Sequence, residues 1–366
     1  MQEVLSGRGS AGSLQAVLKQ HGLQKVLIVC DGSYPFLSVK PIVDGWDLPH
    51  VFFSEFTPNP LYEDVCKGVA AFRDNGCDGI VAIGGGSTID VAKCIKLFCG
   101  LSDAALYLDQ PYRDSGIPLF ALPTTAGTGS ESTHFAVIYY QNQKQSVAHE
   151  SLLPNGVVLD SSVLSSLPVY QKKCTLLDAL CQGIESWWSV NSTDESLAFS
   201  RLAVREIMTH YADYLAGDIA AEDAILTAAN TAGRAINITQ TTAAHAMSYQ
   251  LTKRYQLPHG HSVAIGLPYL WRYMLAHLDQ CVDPRGAAYL EQVFSDIAHA
   301  MGQPDVDAAI ARFEALLREL DLQHPGPQAE GDLAMLVGSV NQQRLKNNPV
   351  ALSEDAIRAL YQKILS

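Results

Sequence analysis

None of the eight cysteines (Cys30, Cys66, Cys77, Cys94, Cys99, Cys174, Cys181 and Cys281) forms a CxxC pair, which argues against a structural zinc ribbon or a redox dithiol. Free thiols in a reducing compartment account for them most simply. Basic residues are scarce, 25 against 38 acidic, for a formal charge of −13. A broad phosphate-tracking surface is thereby excluded, and with it nucleic acid as the expected partner. An anionic small substrate stays compatible with that charge wherever a few basic or hydroxyl groups converge. No stretch approaches the roughly eighteen uninterrupted apolar residues of a membrane span, and the first turn-lengths of chain lack a basic region followed by an apolar run. The expectation is a soluble, unexported, cytoplasmic protein with no membrane partner. Internal repeats, low-complexity tracts and charge runs are also missing.

With 48% hydrophobic and 17% charged residues, the chain reads as globular rather than disordered. Its 366 residues favour two domains over one. The N-terminal half alternates short apolar runs with helical patterns, the signature of an α/β domain with a buried parallel sheet. KVLIVCD at 25–31 ends in Asp31 and is followed by Gly32 and Ser33. A carboxylate at the end of such a strand accepts hydrogen bonds from the ribose hydroxyls of NAD and repels the 2′-phosphate of NADP. An ordinary turn aspartate is the alternative at this position.

A second unit runs from VFFSEF (51–56) through TPNP, which contains Asn59, to a helical pattern near 61–75. The strand IVAI (80–83) then leads into Gly84, Gly85, Gly86 and Ser87 and a helix carrying Asp90 and Lys93. Three glycines let backbone N–H groups approach a pyrophosphate, and the helix N-terminus adds partial positive charge. The spacing of this loop is neither GxGxxG nor GxxxxGK[ST], so a ligand-free turn is its alternative. A third strand, IPLFALP, runs into a loop dense in hydroxyls and glycines, where Thr124, Thr125 and Thr128 are placed to bond phosphate or ribose. Taken alone it also reads as a structural Ser/Thr turn. Two such loops after two buried strands favour a nucleotide.

After VVLD (157–160) and SSLP (165–168) the texture changes to successive helical patterns with Ala-rich stretches at 196–217 and 221–250. The boundary falls near 161–168, giving an α/β dinucleotide-binding domain over 1–163 and an all-helical metal- and substrate-binding domain over 164–366. Ser353 is the N-cap candidate of a final amphipathic helix. In the helical half, His245 lies inside an apolar helical pattern, His259 follows Pro258 fourteen residues later, and Asp178 projects from an earlier helix. One carboxylate and two imidazoles from separate segments suit a catalytic Zn²⁺ or Fe²⁺ with an open position.

These stretches, in this order, resemble the iron-containing or metal-dependent alcohol dehydrogenase family, which includes lactaldehyde reductase, butanol dehydrogenase and, more distantly, glycerol dehydrogenase and dehydroquinate synthase. The resemblance rests on TPNP, GGGSTIDVAK (84–93), PTTAGTGSE (123–131), LLPNGVVLD (152–160), DALCQGIES (178–186), His245 and PHG (258–260), and it covers essentially the whole chain. It implies a Rossmann-like N-terminal domain, an all-helical C-terminal domain of dehydroquinate synthase-like fold, and a cleft holding nicotinamide cofactor and one divalent metal. It also implies a homodimer. The family's metal ligands fall on Asp178, Gln182, His245 and His259. Redox members usually carry histidine where Gln182 stands, and Tyr249 replaces a further family histidine close to the substrate. The resulting Asp/His/His set is similar to that of the glycerol dehydrogenase branch, which favours Zn²⁺ over Fe²⁺. NAD(H) is the expected cofactor, with NADP(H) as the alternative.

For protonation of the product oxygen the candidates are Tyr249, His261 or a water relay. The candidate substrate segment is AGRAINITQTTAAH, which carries Arg234, Thr241 and Thr242. On a continuous helix Arg234 shares the His245 face about 16 Å away along the axis, and Thr241 and Thr242 precede His245 by one turn. Polar groups aimed at a metal suit an anionic head group; a polar helix–helix contact is the alternative reading. DALCQGIESWWS with INITQTTAAHAMSY resembles the branch of phosphonoacetaldehyde reductases, with sulfoacetaldehyde reductases as chemical cousins. The expected reaction is therefore reduction of phosphonoacetaldehyde to 2-hydroxyethylphosphonate. The competing readings are reduction of sulfoacetaldehyde or a neutral short-chain aldehyde, a dehydroquinate-synthase-like cyclase, and a non-catalytic binding or assembly subunit whose metal site has decayed.

Overall fold

The computed structural model describes residues 2–326, 329–340 and 345–366. The chain divides into two compact units, Met1–Pro168 with Gly217–Gly233, and Val169–Ala216 with Arg234–Ser366. The segment Gly217–Gly233 thus belongs with the sheet-bearing unit, whereas a reading in chain order places it in the helical half.

Among the described residues six strands build one sheet: β1 (Glu3–Ser6), β2 (Val26–Cys30), β3 (His50–Phe53), β4 (Gly79–Gly84), β5 (Leu119–Pro123) and, after a hairpin, β8 (Gly156–Leu159). Their order is β1-β8-β5-β4-β2-β3, and every pairing is parallel. The four inner strands, VLIVC, GIVAIG, LFALP and GVVL, are buried at every residue, as strands covered on both faces must be. The hairpin of β6 (Phe135–Tyr140) and β7 (Gln143–Ala148) turns through Gln141 and Asn142 at φ 50° and 62°. Positive φ at both loop residues is the type I′ geometry that matches strand twist.

The helices of this unit include α1 (Leu14–Gln20), α2 (Lys40–Asp44), α3 (Tyr62–Asp74) and α4 (Gly86–Cys99). From β2 the chain first goes to β3 on one side and then to β4 on the other, so the order reverses between β2 and β4. In open α/β sheets ligands bind beyond the carboxyl ends of the strands at such a switch point. Asp31 follows β2 and the Gly84–Gly86 loop follows β4, on either side of it.

The second unit is helical: α5 (Val169–Trp188), α6 (Asp194–Ala216), the end of α7 (Ile219–Thr239), α8 (Ala243–Tyr255), α9 (His259–Ala264), α10 (Leu267–Ala276), α11 (Ala287–Ala300), α12 (Val306–Glu319), α13 (Asp332–Gly338) and α14 (Glu354–Ile364). Ser353 caps the last helix by accepting from the Ala356 N–H. Trp188 sits in the core with edge contacts to Trp271 (5.6 Å) and Phe294 (6.0 Å). Such pairs each contribute about 0.5–1.5 kcal/mol beyond their burial.

One expectation fails here. The Ala-rich run 221–250 is not one helix: α7 ends at Thr239, Gln240 turns left-handed (φ 58°), and α8 begins at Ala243 with Thr242 as its N-cap. Arg234 and His245 therefore lie on different helices, and the shared face assumed for them does not exist. No helix among the described residues is long and apolar enough to cross a membrane.

Candidate functional site

In the sheet-bearing unit, three strand-end loops meet. The Thr88 hydroxyl donates to Asp31 Oδ2 at 2.9 Å, while Ser33 donates its N–H (2.8 Å) and hydroxyl (2.5 Å) to Oδ1. A Cβ on Gly86 would stand 2.8 Å from the Thr128 side chain, and one on Gly85 would stand 3.4 Å from that of Thr125. The Gly86 contact is the one that calls for glycine, whereas that of Gly85 is an ordinary van der Waals distance. Thr124 donates its N–H to the Gly84 carbonyl at 3.0 Å. α4 starts at Gly86, so the N–H groups of Gly86, Ser87 and Thr88 form its N-terminus, where an intrahelical acceptor is lacking and anions are favoured. The loop after β5 is held in turn by α7, since Gly129 (φ 61°) and Gly233 are so close that a Cβ on either would come within 2.3–2.7 Å of the other's Cα.

Two residues expected at a cofactor face the protein instead. Lys93 is fully buried and its ammonium donates to the Thr133 carbonyl (2.7 Å), the Thr133 hydroxyl (3.0 Å) and the Phe135 carbonyl (2.9 Å). All three of its protons are engaged, and burial pulls it down to about 8. Asp90 accepts from the Ser130 hydroxyl (2.5 Å) and the Val137 N–H (2.9 Å), with burial raising its carboxyl above the usual range. Both pin the β5–β6 loop rather than a ligand. Asn59 stands exposed after β3 at φ 58°, outside the contacts that join the other loops. Gly7, Gly9 and Gly12 also spell a GxGxxG after β1, but the N–H groups of Gly9 and Ala11 there bind the Asp160 carboxylate at 2.9 and 3.0 Å.

In the helical unit the structure brings together Asp178 of α5, His245 of α8 and His259 of α9, with one ligand atom from each lying within 4.8 Å of the others. His245 Nε2 is 3.3 Å and His259 Nε2 4.0 Å from Asp178 Oδ1. Donors about 2.0–2.2 Å from one tetrahedral ion stand roughly 3.4 Å apart, so the His245–Asp178 pair already has that spacing and His259 would close in on a Zn²⁺-sized cation. Asp178 and His245 are buried, whereas His259 keeps 39% of its side chain exposed, which leaves an accessible side. Gln182 is buried one turn along α5 and hydrogen-bonds Asp178.

The approach of α9 to α5 depends on Gly260, where a Cβ would lie 2.0 Å from the Cys174 carbonyl oxygen and 2.8 Å from Asp178 Cβ. Tyr249 lies parallel to the His259 ring at 6.2 Å between centroids. His261, two residues on, is occupied at both nitrogens: Nδ1 pairs with the Tyr170 hydroxyl and Nε2 with the Gln323 carbonyl, each at 2.9 Å. Burial lowers it below the ordinary imidazole range. It braces the fold and is not placed to relay a proton.

Glu185 was not singled out by sequence reasoning, although it stands seven residues after Asp178 and so on the same face of α5. It is fully buried and bonded to His245 Nδ1. Its other oxygen accepts from the N–H groups of Thr242 (3.1 Å) and Ala244 (3.0 Å) at the start of α8, and from the Thr242 hydroxyl (2.6 Å). Burial acts to raise both carboxyls, and the facing imidazole outweighs it, holding Asp178 and Glu185 below the usual range. Burial would lower His245, but the two carboxylates push it up to about 10. A divalent cation would take over the balancing of these two buried carboxylates from the charged imidazole, releasing its proton on binding.

The residues expected to meet substrate fare differently. Thr242 has no exposed surface, donating its hydroxyl to Glu185 and accepting from Trp188 Nε1 (2.9 Å). It supports the Glu185 carboxylate and does not reach outward. Thr241 is buried, with its carbonyl accepting from Asn347. Arg234 is exposed, stacked over the Phe199 ring at 4.0 Å.

Residues 2–161 match the family described as iron-containing alcohol dehydrogenase, and residues 173–365 match the Fe-containing alcohol dehydrogenase family, C-terminal. The chain is 33% identical over 311 residues to a phosphonoacetaldehyde reductase of Streptomyces viridochromogenes, covering 77% of this chain and 75% of that protein. It is 33% identical over 281 residues to the probable alcohol dehydrogenase EutG of Escherichia coli, covering 72% and 69%. Among solved structures, the sulfoacetaldehyde reductase of Bifidobacterium kashiwanohense in complex with NAD⁺ superimposes with a TM-score of 0.89 at 25% identity, over 100% of this chain and 97% of that one.

Proposed function

Because this chain belongs to the iron-containing alcohol dehydrogenase family, we propose that it reduces phosphonoacetaldehyde to 2-hydroxyethylphosphonate with NADH and one divalent metal, Zn²⁺ or Fe²⁺. The observation that carries the substrate class is its likeness to two reductases whose aldehydes both bear a tetrahedral anion, phosphonate in one and sulfonate in the other. The convergence of Asp178, His245 and His259 supports a retained metal rather than a decayed site.

In this reading Asp178, His245 and His259 hold the ion, with Gln182 supporting Asp178. The Gly84–Gly86 turn, Ser87 and the α4 N-terminus hold the cofactor diphosphate, while Thr124, Thr125 and Thr128 wall it and Asp31 accepts from the adenosine ribose. When bound, the ion supplies Lewis acidity toward the aldehyde carbonyl and the nicotinamide supplies the hydride. The Tyr249 hydroxyl supplies the product's proton, directly or through water, because it stands beside His259 while His261 is occupied at both nitrogens.

The second reading is reduction of a neutral short-chain aldehyde. It is favoured by Thr242 being committed to Glu185 and by Arg234 standing over Phe199. The two separate in NADH oxidation with phosphonoacetaldehyde, sulfoacetaldehyde, lactaldehyde and aliphatic aldehydes on protein of known metal content. An anionic aldehyde preferred by about a hundredfold in kcat/KM, ~2.7 kcal/mol of transition-state discrimination, supports the proposal. Preference for the neutral aldehydes overturns it.

A further inference from the structure

Trp188, Thr242, Glu185 and His245 form a hydrogen-bonded chain whose polarity is set from one end. An indole N–H only donates. Trp188 Nε1 is 2.9 Å from the Thr242 hydroxyl oxygen, which must therefore accept there and donate onward to Glu185 Oε1 at 2.6 Å. The same oxygen takes the N–H groups of Thr242 and Ala244. Glu185 Oε1 is thus saturated with donors, and Oε2 is left to His245 Nδ1. A carboxylate can only accept, so Nδ1 carries a proton, and the ring is held with Nε2 toward the Asp178 carboxylate, 3.3 Å away, to which it also donates. Trp188 is itself wedged between Trp271 and Phe294, and neither Glu185 nor Thr242 has exposed surface, so nothing in the chain is free to rotate.

We infer that Glu185 is a positioning residue, one that holds the His245 Nδ1 proton and ring direction so that, once a cation displaces the proton Nε2 shares with Asp178, the Nε2 lone pair is left facing Asp178 and His259. This rests on the reading of those three residues as the metal site. Partners of this kind orient a ligating imidazole and strengthen it as a donor.

The test is Glu185→Gln in the full chain. A glutamine keeps the volume, and its amide oxygen still accepts from the α8 N–H groups. Its NH₂ then faces His245 Nδ1, donor against donor, which drives the imidazole proton to Nε2 and blocks the metal-facing lone pair. Zn²⁺ affinity, measured by competition with a chromogenic chelator, is expected to fall about 10–100-fold, while NADH affinity stays at the wild-type value. The Zn²⁺-saturated wild type should show a strongly deshielded imidazole Nδ1 proton by ¹⁵N-edited NMR that disappears in the variant. Thr242→Val, which removes only the hydroxyl, should weaken Zn²⁺ several-fold with the fold kept, and it serves if the glutamine variant does not fold. Wild type that binds no Zn²⁺ overturns the metal reading itself. Wild type that binds Zn²⁺ tightly, with variants of unchanged affinity and an unchanged Nδ1 proton signal, overturns the role given to Glu185.

Discussion

Replacing Gly260 by alanine inserts one methyl group at the closest approach of α9 to α5. The added Cβ would sit 2.0 Å from the Cys174 carbonyl oxygen and 2.8 Å from Asp178 Cβ. A relaxed C···O contact is about 3.3 Å or longer, so the two backbones must separate by roughly 1.3 Å. The obstacle is helix backbone on one side and a buried carboxylate's own Cβ on the other, and neither can swing aside. His259 begins α9 and Asp178 lies on α5, so the separation falls directly on that pair, 4.0 Å apart at their nearest ligand atoms. Metal–donor distances in a formed site keep within about 0.2 Å of their ideal values, and this pair, already wide, would be moved further from them. We therefore expect Gly260→Ala to lose Zn²⁺ affinity by at least about tenfold, together with an overpacking penalty of about 1–3 kcal/mol. The internal control is Gly266→Ala, where the new methyl would meet Ile364 Cδ1 at 3.4 Å and the Val263 carbonyl at 3.5 Å, ordinary contact distances. Zinc content after dialysis against a chelator, with calorimetric Tm on the same samples, reads both effects. Full zinc retention and an unchanged Tm in Gly260→Ala would refute the reasoning.

Other expectations follow from the same geometry. His259→Ala should abolish turnover and leave NADH binding nearly unchanged, because its proposed partner is the metal; a large loss of NADH affinity in a fluorescence titration would contradict that role. Asp31→Gly removes the carboxylate that Ser33 and Thr88 hold in place and should shift the cofactor ratio of kcat/KM toward NADPH; an unchanged ratio discards Asp31 as the ribose reader. His261 is buried with its titration lowered, so the unfolded chain takes up that proton first. Its contribution to stability is therefore present above the ordinary imidazole value of about 6.5 and is lost as pH falls through the lowered folded value. Urea denaturation at about pH 7.5 and 5 should show a smaller acid loss in His261→Asn than in wild type, and equal losses would mean that other groups set the acid limb.

The elements that read clearly from the chain were those whose signal is local. VLIVC, GIVAIG, LFALP and GVVL are apolar runs too short for helices, with a glycine or proline at or near an end, and they are the inner strands. Gly84 and Gly86 follow one of them because a backbone that comes so close to the Thr88 and Thr128 side chains leaves no room for a Cβ. Asp178, His245 and His259 were identifiable by their motifs. By contrast, the break at Gln240 was hidden, since an Ala-rich stretch on both sides has the same helical period whether or not one residue turns left-handed.

What a polar side chain faces was decided only by the tertiary structure. Thr242 and Arg234 looked like substrate contacts, Lys93 and Asp90 like cofactor contacts and His261 like a proton relay. Each direction depends on a partner far away in sequence: Trp188 and Glu185 for Thr242, Phe199 for Arg234, Thr133 and Phe135 for Lys93, Ser130 and Val137 for Asp90, Tyr170 and Gln323 for His261. Glu185 went unnoticed for the same reason, being one more polar residue on a helix until α8 brings its N-terminus and His245 against it. Residue types and spacing determine which groups are available along a strand or helix. Which donor meets which acceptor is settled by long-range packing, because a buried hydrogen-bonding group must find its partner wherever the fold places one.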